Sequence, residues 1–293
     1  KTTPNADGSW PGNSRRMNVL KYSLSSIFDP THPNYKPTLL PDKKIRLAWQ
    51  VMHNNGGAPD AKNVNSATMK TNSMRLLQNP HRANFLSFVN SLTPQNATPS
   101  HLMFSQADAY MRQPLGVASA WAMEPGVTGG NYLGCRRNYH IMMTDGRWNS
   151  LASGGQKDGV NSLTLPDGTV YANNTAAQAA KVALYRDSFA DTLADWAFHS
   201  WATPLQPAAS LTGSVKQSQE YLDAPLSKNF GKDSAGNDAI LDKFWNPDFD
   251  PATWPHMVTY TIGFSDVAVR WPNAPTIVGP TQKVPFGYDG SFP

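Results

Sequence analysis

Asp145 is the side chain from which chemistry can first be argued. It closes the run Tyr139-His-Ile-Met-Met-Thr-Asp-Gly146. Tyr139 and Ile141–Met143 suit a buried strand, and Thr144-Asp145-Gly146 ends it. Ligands of open α/β sheets bind just beyond the carboxyl ends of the strands. A carboxylate there, followed by a glycine that frees the backbone to turn, is a good place for a hard cation. Asp-Gly is also common turn punctuation, so taken alone the octapeptide reads more often as a plain strand-to-turn junction. A second set is Asp191, Asp195 and His199, spaced i, i+4 and i+8 on one helix face. That spacing could bind a metal, although such a stripe is more often a solvated face or a satisfied polar contact. Cys135 is the only cysteine, so no internal disulfide forms, and no Cys-His signature surrounds it. HExxH and GxSxG are absent, and His53, His81, His101, His140 and His256 fall in separate segments.

Elements that could position these groups follow from periodicity. Ser14 can cap a helix running to Phe28, with Met17, Leu20, Leu24, Ile27 and Phe28 on one apolar face. Asp29-Pro30 stops it. Ile45–Met52 reads as a strand, with Ile45, Leu47, Trp49 and Val51 alternating. His81–Leu92 and Ser100–Met111 read as amphipathic helices. Pro166-Asp167-Gly168-Thr169 is a turn joining Ser162–Leu165 to Val170–Ala172 in a small hairpin. Thr175–Trp201 is the longest helical segment, with a break expected near Asp187-Ser188. His256–Phe264 reads as a β-branched strand. Helices and strands alternate, so the fold class is α/β with a largely parallel sheet. The expected layout is a tail over 1–13, a domain over 14–270 with insertions at about 148–174 and 204–253, and a linker over 271–293. Trp245, Phe249 and Trp254 are expected to pack beneath the second insertion.

Composition narrows the function classes. Of 293 residues, 40% are hydrophobic, enough for a sizeable core, and only 16% are charged. Glu124 and Glu220 are the only glutamates, against 24 prolines and 21 glycines, so moderate helix and long loops are expected. The net charge is +4, but the basic residues are scattered without interleaved aromatics. Nucleic-acid binding is therefore not expected. No apolar run reaches the ~18 residues of a transmembrane helix. No apolar signal segment stands at Lys1, so either a processed or trimmed fragment or a cytosolic chain is expected, and the Pro- and Gly-rich end at Pro293 suggests that something followed it.

Three segments together carry a resemblance: Arg137–Asn149, Phe189–Trp201 and Trp254–Phe264. In order and content they resemble the N-terminal region of the type IV pilus tip-associated adhesins (the PilY/PilC family), a region similar to a von Willebrand factor A domain. Ser14–Phe28 and the Ala97-Thr98-Pro99 turn fit the same pattern, so the resemblance covers roughly Ser14 to Phe264. It implies a Rossmann-like sandwich with helices on both faces of a central, mostly parallel sheet. It also implies secretion through the periplasm to the pilus tip and a non-enzymatic role in adhesion and pilus biogenesis. The implied partners are minor pilins, other tip proteins, or a host or abiotic surface. The resemblance further implies a C-terminal β-propeller beyond Pro293; the chain itself is expected to be a monomer. A-like domains hold a divalent cation such as Mg²⁺ through three loops. Thr98 with Pro99 matches the second and Asp145 the third. The first, Asp-x-Ser-x-Ser, is met only by Asp7-Gly8-Ser9-Trp10-Pro11, which lacks the last serine. The chain is therefore expected to be metal-free or only partly occupied, with any divalent cation bound weakly. A secreted metal-dependent hydrolase using Asp145, Asp191, Asp195 and His199 is the alternative. A cytosolic A-domain chaperone accessory is a third reading.

Overall fold

The computed structural model describes residues 16–52, 73–93, 98–144, 162–172, 191–232, 238–246 and 248–263. The chain divides into two compact units, 1–131 with 148–150, and 132–147 with 151–293.

The first unit is built on three helices: α1 (Arg16–Phe28), α2 (His81–Ser91) and α3 (Ser100–Met111). The ends of α2 and α3 follow the expected boundaries within one residue and α1 ends at Phe28 as expected, while Ser14, its expected cap, lies outside the described residues. Asp29 stops α1 as expected, and its carboxylate accepts from Thr31 N and Oγ1 to form the turn. α1 packs on α2, and Leu24 and Phe28 lie against a core of Trp49, Phe85 and Val89. The Phe28 and Phe85 rings meet edge-on at 4.7 Å.

Ile45–Met52 is not the long strand that its alternation suggests. Only β1 (Arg46–Leu47) pairs, antiparallel to β2 (Arg75–Leu76). Side-chain contacts with the helices hold the segment in place of a longer ladder. His81 Nε2 lies 2.7 Å from Leu47 O and donates to it. Gln50 Nε2 donates to Met103 O at 2.8 Å. The Trp49 ring packs on His81 and Phe85. The apolar alternation is thus satisfied against helices rather than by a sheet.

The second unit holds a parallel ladder of β3 (Asn138–Thr144) and β8 (Met257–Gly263). It runs in register from Asn138↔Met257 to Thr144↔Gly263. These two expected strands therefore share one sheet, while the Ile45 segment pairs elsewhere. The hairpin of β4 (Ser162–Thr164) and β5 (Val170–Ala172) forms as expected, with Gly168 in the left-handed region at φ 89°. Helix α4 (Leu193–Ala202) packs on β8. Residues 175–190 of the expected long helix lie outside the described residues.

The 204–253 insertion carries more structure than its polar composition suggests. It contains α5 (Gln219–Asp223) and an antiparallel hairpin of β6 (Ser227–Lys232) and β7 (Asp238–Asp242). Leu165, Tyr171, Phe198, Ala202, Trp245, Ala252 and Trp254 form the core beneath it. Trp245 and Trp254 pack there as expected, and Phe249 meets the Tyr221 ring.

Candidate functional site

Parallel pairing of β3 and β8 brings two carboxyl ends to one edge, at Thr144 and Gly263. This is the edge where ligands of α/β sheets bind. Asp145, the next residue after Thr144, lies outside the described residues, as do Asp7 and Ser9. Thr98 is described and half-buried; it precedes Pro99 at the start of α3, and its carbonyl accepts from Ser100 N at 2.9 Å. The described residues thus supply one hydroxyl of the expected cation set.

The stripe of Asp191, Asp195 and His199 takes a different form from its spacing. Asp191 sits at φ 60°, ahead of the helix rather than on it. Thr192 is the N-cap of α4, and its Oγ1 accepts from Asp195 N. The Asp195 carboxylate reaches back and accepts from Thr192 N at 2.8 Å and from Thr192 Oγ1 at 3.1 Å. This is a reciprocal capping box, and it buries Asp195. His199 packs edge-on against Trp196 at 5.9 Å. Among the described residues, no group of three or more His, Cys, Asp or Glu is placed to hold a metal. The hydrolase alternative required these side chains to converge with Asp145. The three described ones do not converge.

The ladder itself is fastened by groups that spacing did not reveal. His256 immediately precedes β8 and is fully buried. Its Nδ1 is 2.7 Å from Trp254 O, and its Nε2 is 2.9 Å from Asp250 Oδ2. Both neighbours are acceptors. Asp250 Oδ1 in turn accepts from Trp201 Nε1 and Ala252 N, each at 3.3 Å. Burial pushes the Asp250 carboxyl up, but the hydrogen bond and charge of His256 outweigh it. Together with the Trp201 and Ala252 donors, they hold it below the usual carboxylate range. Trp254 Nε1 donates to Trp201 O at 2.6 Å and so satisfies a carbonyl in the last turn of α4. Asn138 Nδ2 donates to His256 O at 3.1 Å, joining the first residue of β3 to the residue before β8. That bond pins the register of the ladder from its amino end. The one sequence signal was a histidine two residues before the β-branched run that starts at Val258, with an aspartate six residues earlier.

His140 and Thr259 are register partners on the inner face of the ladder. His140 Nδ1 is shut off from solvent, and burial lowers the ring to a pKa of about 4. The ring is therefore neutral at physiological pH.

The chain is 32% identical over 254 residues to "Type IV pilus biogenesis factor PilY1" of Pseudomonas aeruginosa strain PAO1, an alignment covering 85% of this chain and 20% of that protein. It is 33% identical over 243 residues to the protein of the same name in strain PAK, covering 83% and 18%. In strain UCBPP-PA14 the identity is 30% over 278 residues, covering 90% and 21%. The chain is homologous to one segment of PilY1. It spans about a fifth of the length of these PilY1 relatives. No family model matches the chain. No solved structure matches it either. The similarity to PilY1 therefore rests on sequence, and the mixed α/β architecture with its parallel ladder is described from this chain alone.

Proposed function

We propose that the chain is a non-enzymatic module of type IV pilus biogenesis and adhesion, exported through the periplasm to the pilus tip. In this reading it is a monomeric von Willebrand factor A-like domain. Its loop face at the carboxyl edge of β3 and β8 contacts a minor pilin, another tip protein, or a host or abiotic surface. The observation that carries the reading is an alignment spanning 83–90% of the chain with proteins named as type IV pilus biogenesis factors. The in-register parallel ladder supports it, because such pairing sends two loops to one binding edge. The test is an in-frame deletion of residues 16–263 within the full-length protein, in the bacterium that encodes it. Surface pili should be lost while pilin subunits are still made. Normal piliation would sink the proposal.

In the same reading, Thr98 and Asp145 would hold Mg²⁺ or another divalent cation. A hydroxyl and one carboxylate provide little charge, so Asp145 would supply most of the attraction. Calorimetric titration with Mg²⁺, Mn²⁺ and Ca²⁺ is expected to show affinity no tighter than the order of millimolar. Micromolar binding that vanishes in Asp145→Ala would show a complete site instead.

A further inference from the structure

Among the described residues β8 has a strand on one side only. β3 takes that side, and the other side of Met257–Gly263 is an open edge. Its outward N–H and C=O groups face no described strand. The edge carries none of the usual protections. Met-Val-Thr-Tyr-Thr-Ile-Gly has no charge and no proline, and its register with β3 runs without a bulge. Tyr260 and Ile262 stand 55% and 40% exposed, beside Tyr139 and Ile141 at 53% and 57%. The register places all four on the outer face of the ladder. Thr261, on the inner face, is exposed as well. A bare, uncharged edge of this kind is a template for another strand.

The chain that continues from β8 carries one. Val267-Ala-Val-Arg-Trp271 lies outside the described residues, alternates apolar with small or charged side chains, and is followed by Pro272. Only Phe264-Ser265-Asp266 separates it from Gly263, and three residues is a common hairpin loop. We propose that 267–271 pairs antiparallel with β8 along this edge and makes the ladder a mixed three-stranded sheet. Connectivity selects this occupant, because a strand tethered by three residues has far less closure entropy to overcome than a distant or separate one. A second copy fits less well. At about 200 Å² for a full side chain, the four exposed side chains offer on the order of 400 Å². A stable interface takes about 800 Å² from each partner. The loop sets Thr261 opposite Val269 and Tyr260 opposite Arg270. Val267, Val269 and Trp271 then fall on the inner face, which α4 covers, and Arg270 falls beside the exposed Tyr260 ring for a cation–π contact. The pairing does not depend on the pilus reading above.

The test is hydrogen exchange resolved to single amides across 257–263 in the full-length protein. Successive residues of a strand donate to opposite sides, so one alternate set bonds to β3 and the other to the added strand. Both sets should be protected. Ala268→Pro combined with Val269→Pro removes whichever N–H the new ladder uses. It should speed exchange about tenfold in the outward set alone, the loss of about one hydrogen bond. Retained protection in the set facing β3 shows that the variant is folded. Thr276→Pro, beyond the segment, should change neither set. In a Cys135→Ser background, Thr261→Cys should form a disulfide with Val269→Cys and not with Ala268→Cys, since opposed residues have the spacing a disulfide needs. An outward set that exchanges freely in the unaltered protein would overturn the pairing. So would protection that survives both prolines, which assigns the edge to another strand, or dimers linked through Thr261→Cys, which assign it to a second copy. Equal disulfide yields from 268 and 269 would overturn it too.

Discussion

In the first unit one buried cation collects the chain. Arg82 is 2% exposed; its Nη1 donates to Phe28 O and its Nη2 to Leu40 O, each at 3.0 Å, and Nη2 also reaches Asp42 at 2.8 Å. Phe28 O belongs to the last turn of α1, where a cation also meets the negative end of the helix dipole. In the second unit the corresponding task falls to Asp250, His256, Trp201 and Trp254, a network of a titratable pair and two indoles. A guanidinium does not deprotonate in proteins, so the Arg82 donors to the two carbonyls keep their charge across the pH range. The second anchor depends on the charge of a carboxyl that is mostly buried. Two regions of one chain thus solve the same problem, satisfying main-chain groups between elements, but only the second is sensitive to acid.

Arg82→Met should produce the largest effect. It strips the donor from two carbonyls and leaves Asp42 without its cation. The cost expected for leaving a carbonyl without its donor is about 1–3 kcal/mol for each of the two. Urea unfolding, with hydrogen exchange read at the α1 and α2 amides, measures it. A loss below about 1 kcal/mol would mean that water replaces the guanidinium and that the comparison is wrong for the first unit.

Asp250→Asn comes next, at about 1–3 kcal/mol, because His256 then faces a neutral partner in a closed site. The pH profile separates the two anchors. The folded-state pKa of Asp250 is lowered, so its contribution is present above the unfolded carboxyl pKa. It fades as pH falls through the folded value. The acid limb of the stability curve, read at the α4 and β8 amides, should therefore flatten in Asp250→Asn. It should keep its shape in Arg82→Met. An unchanged acid limb in Asp250→Asn would remove the distinction between the units.

Thr192→Ala should cost least, about 1 kcal/mol, the usual loss for an N-cap hydroxyl. Protection should fall first at the amides of Leu193 to Asp195. A neutral result would show that α4 is held by Trp254 at its far end alone.

Elements set by local chemistry are legible in the amino-acid sequence. Ser100–Met111 forms with the expected ends because a Thr-Pro turn precedes it. The β4–β5 hairpin follows from Pro-Asp-Gly. Helix α4 begins at Leu193 because Thr192-x-x-Asp195 is a capping box, a local signal that the wider helical stripe concealed. Ile45–Met52 misled because alternation records burial on one side, not the identity of the covering element. In the insertion, Tyr221 and Leu241 are buried while their apolar neighbours Leu222 and Ile240 are exposed, so apolar residue type does not mark the buried face. Asp250 and His256 were out of reach for a different reason. Their meaning lies in an approach to Trp201, 49 positions from Asp250, that only the folded chain makes.

The bond from Asn138 to His256 spans 118 positions. Closing a flexible loop of that size costs on the order of 4 kcal/mol of chain entropy before the strands gain anything from pairing. Contacts this distant in sequence form slowly and late. On a chain that emerges amino end first, β3 must therefore wait, with its neighbours already made, until β8 arrives. The carboxyl edge comes into being as one of the last acts of folding, so a truncated or stalled chain lacks that edge altogether.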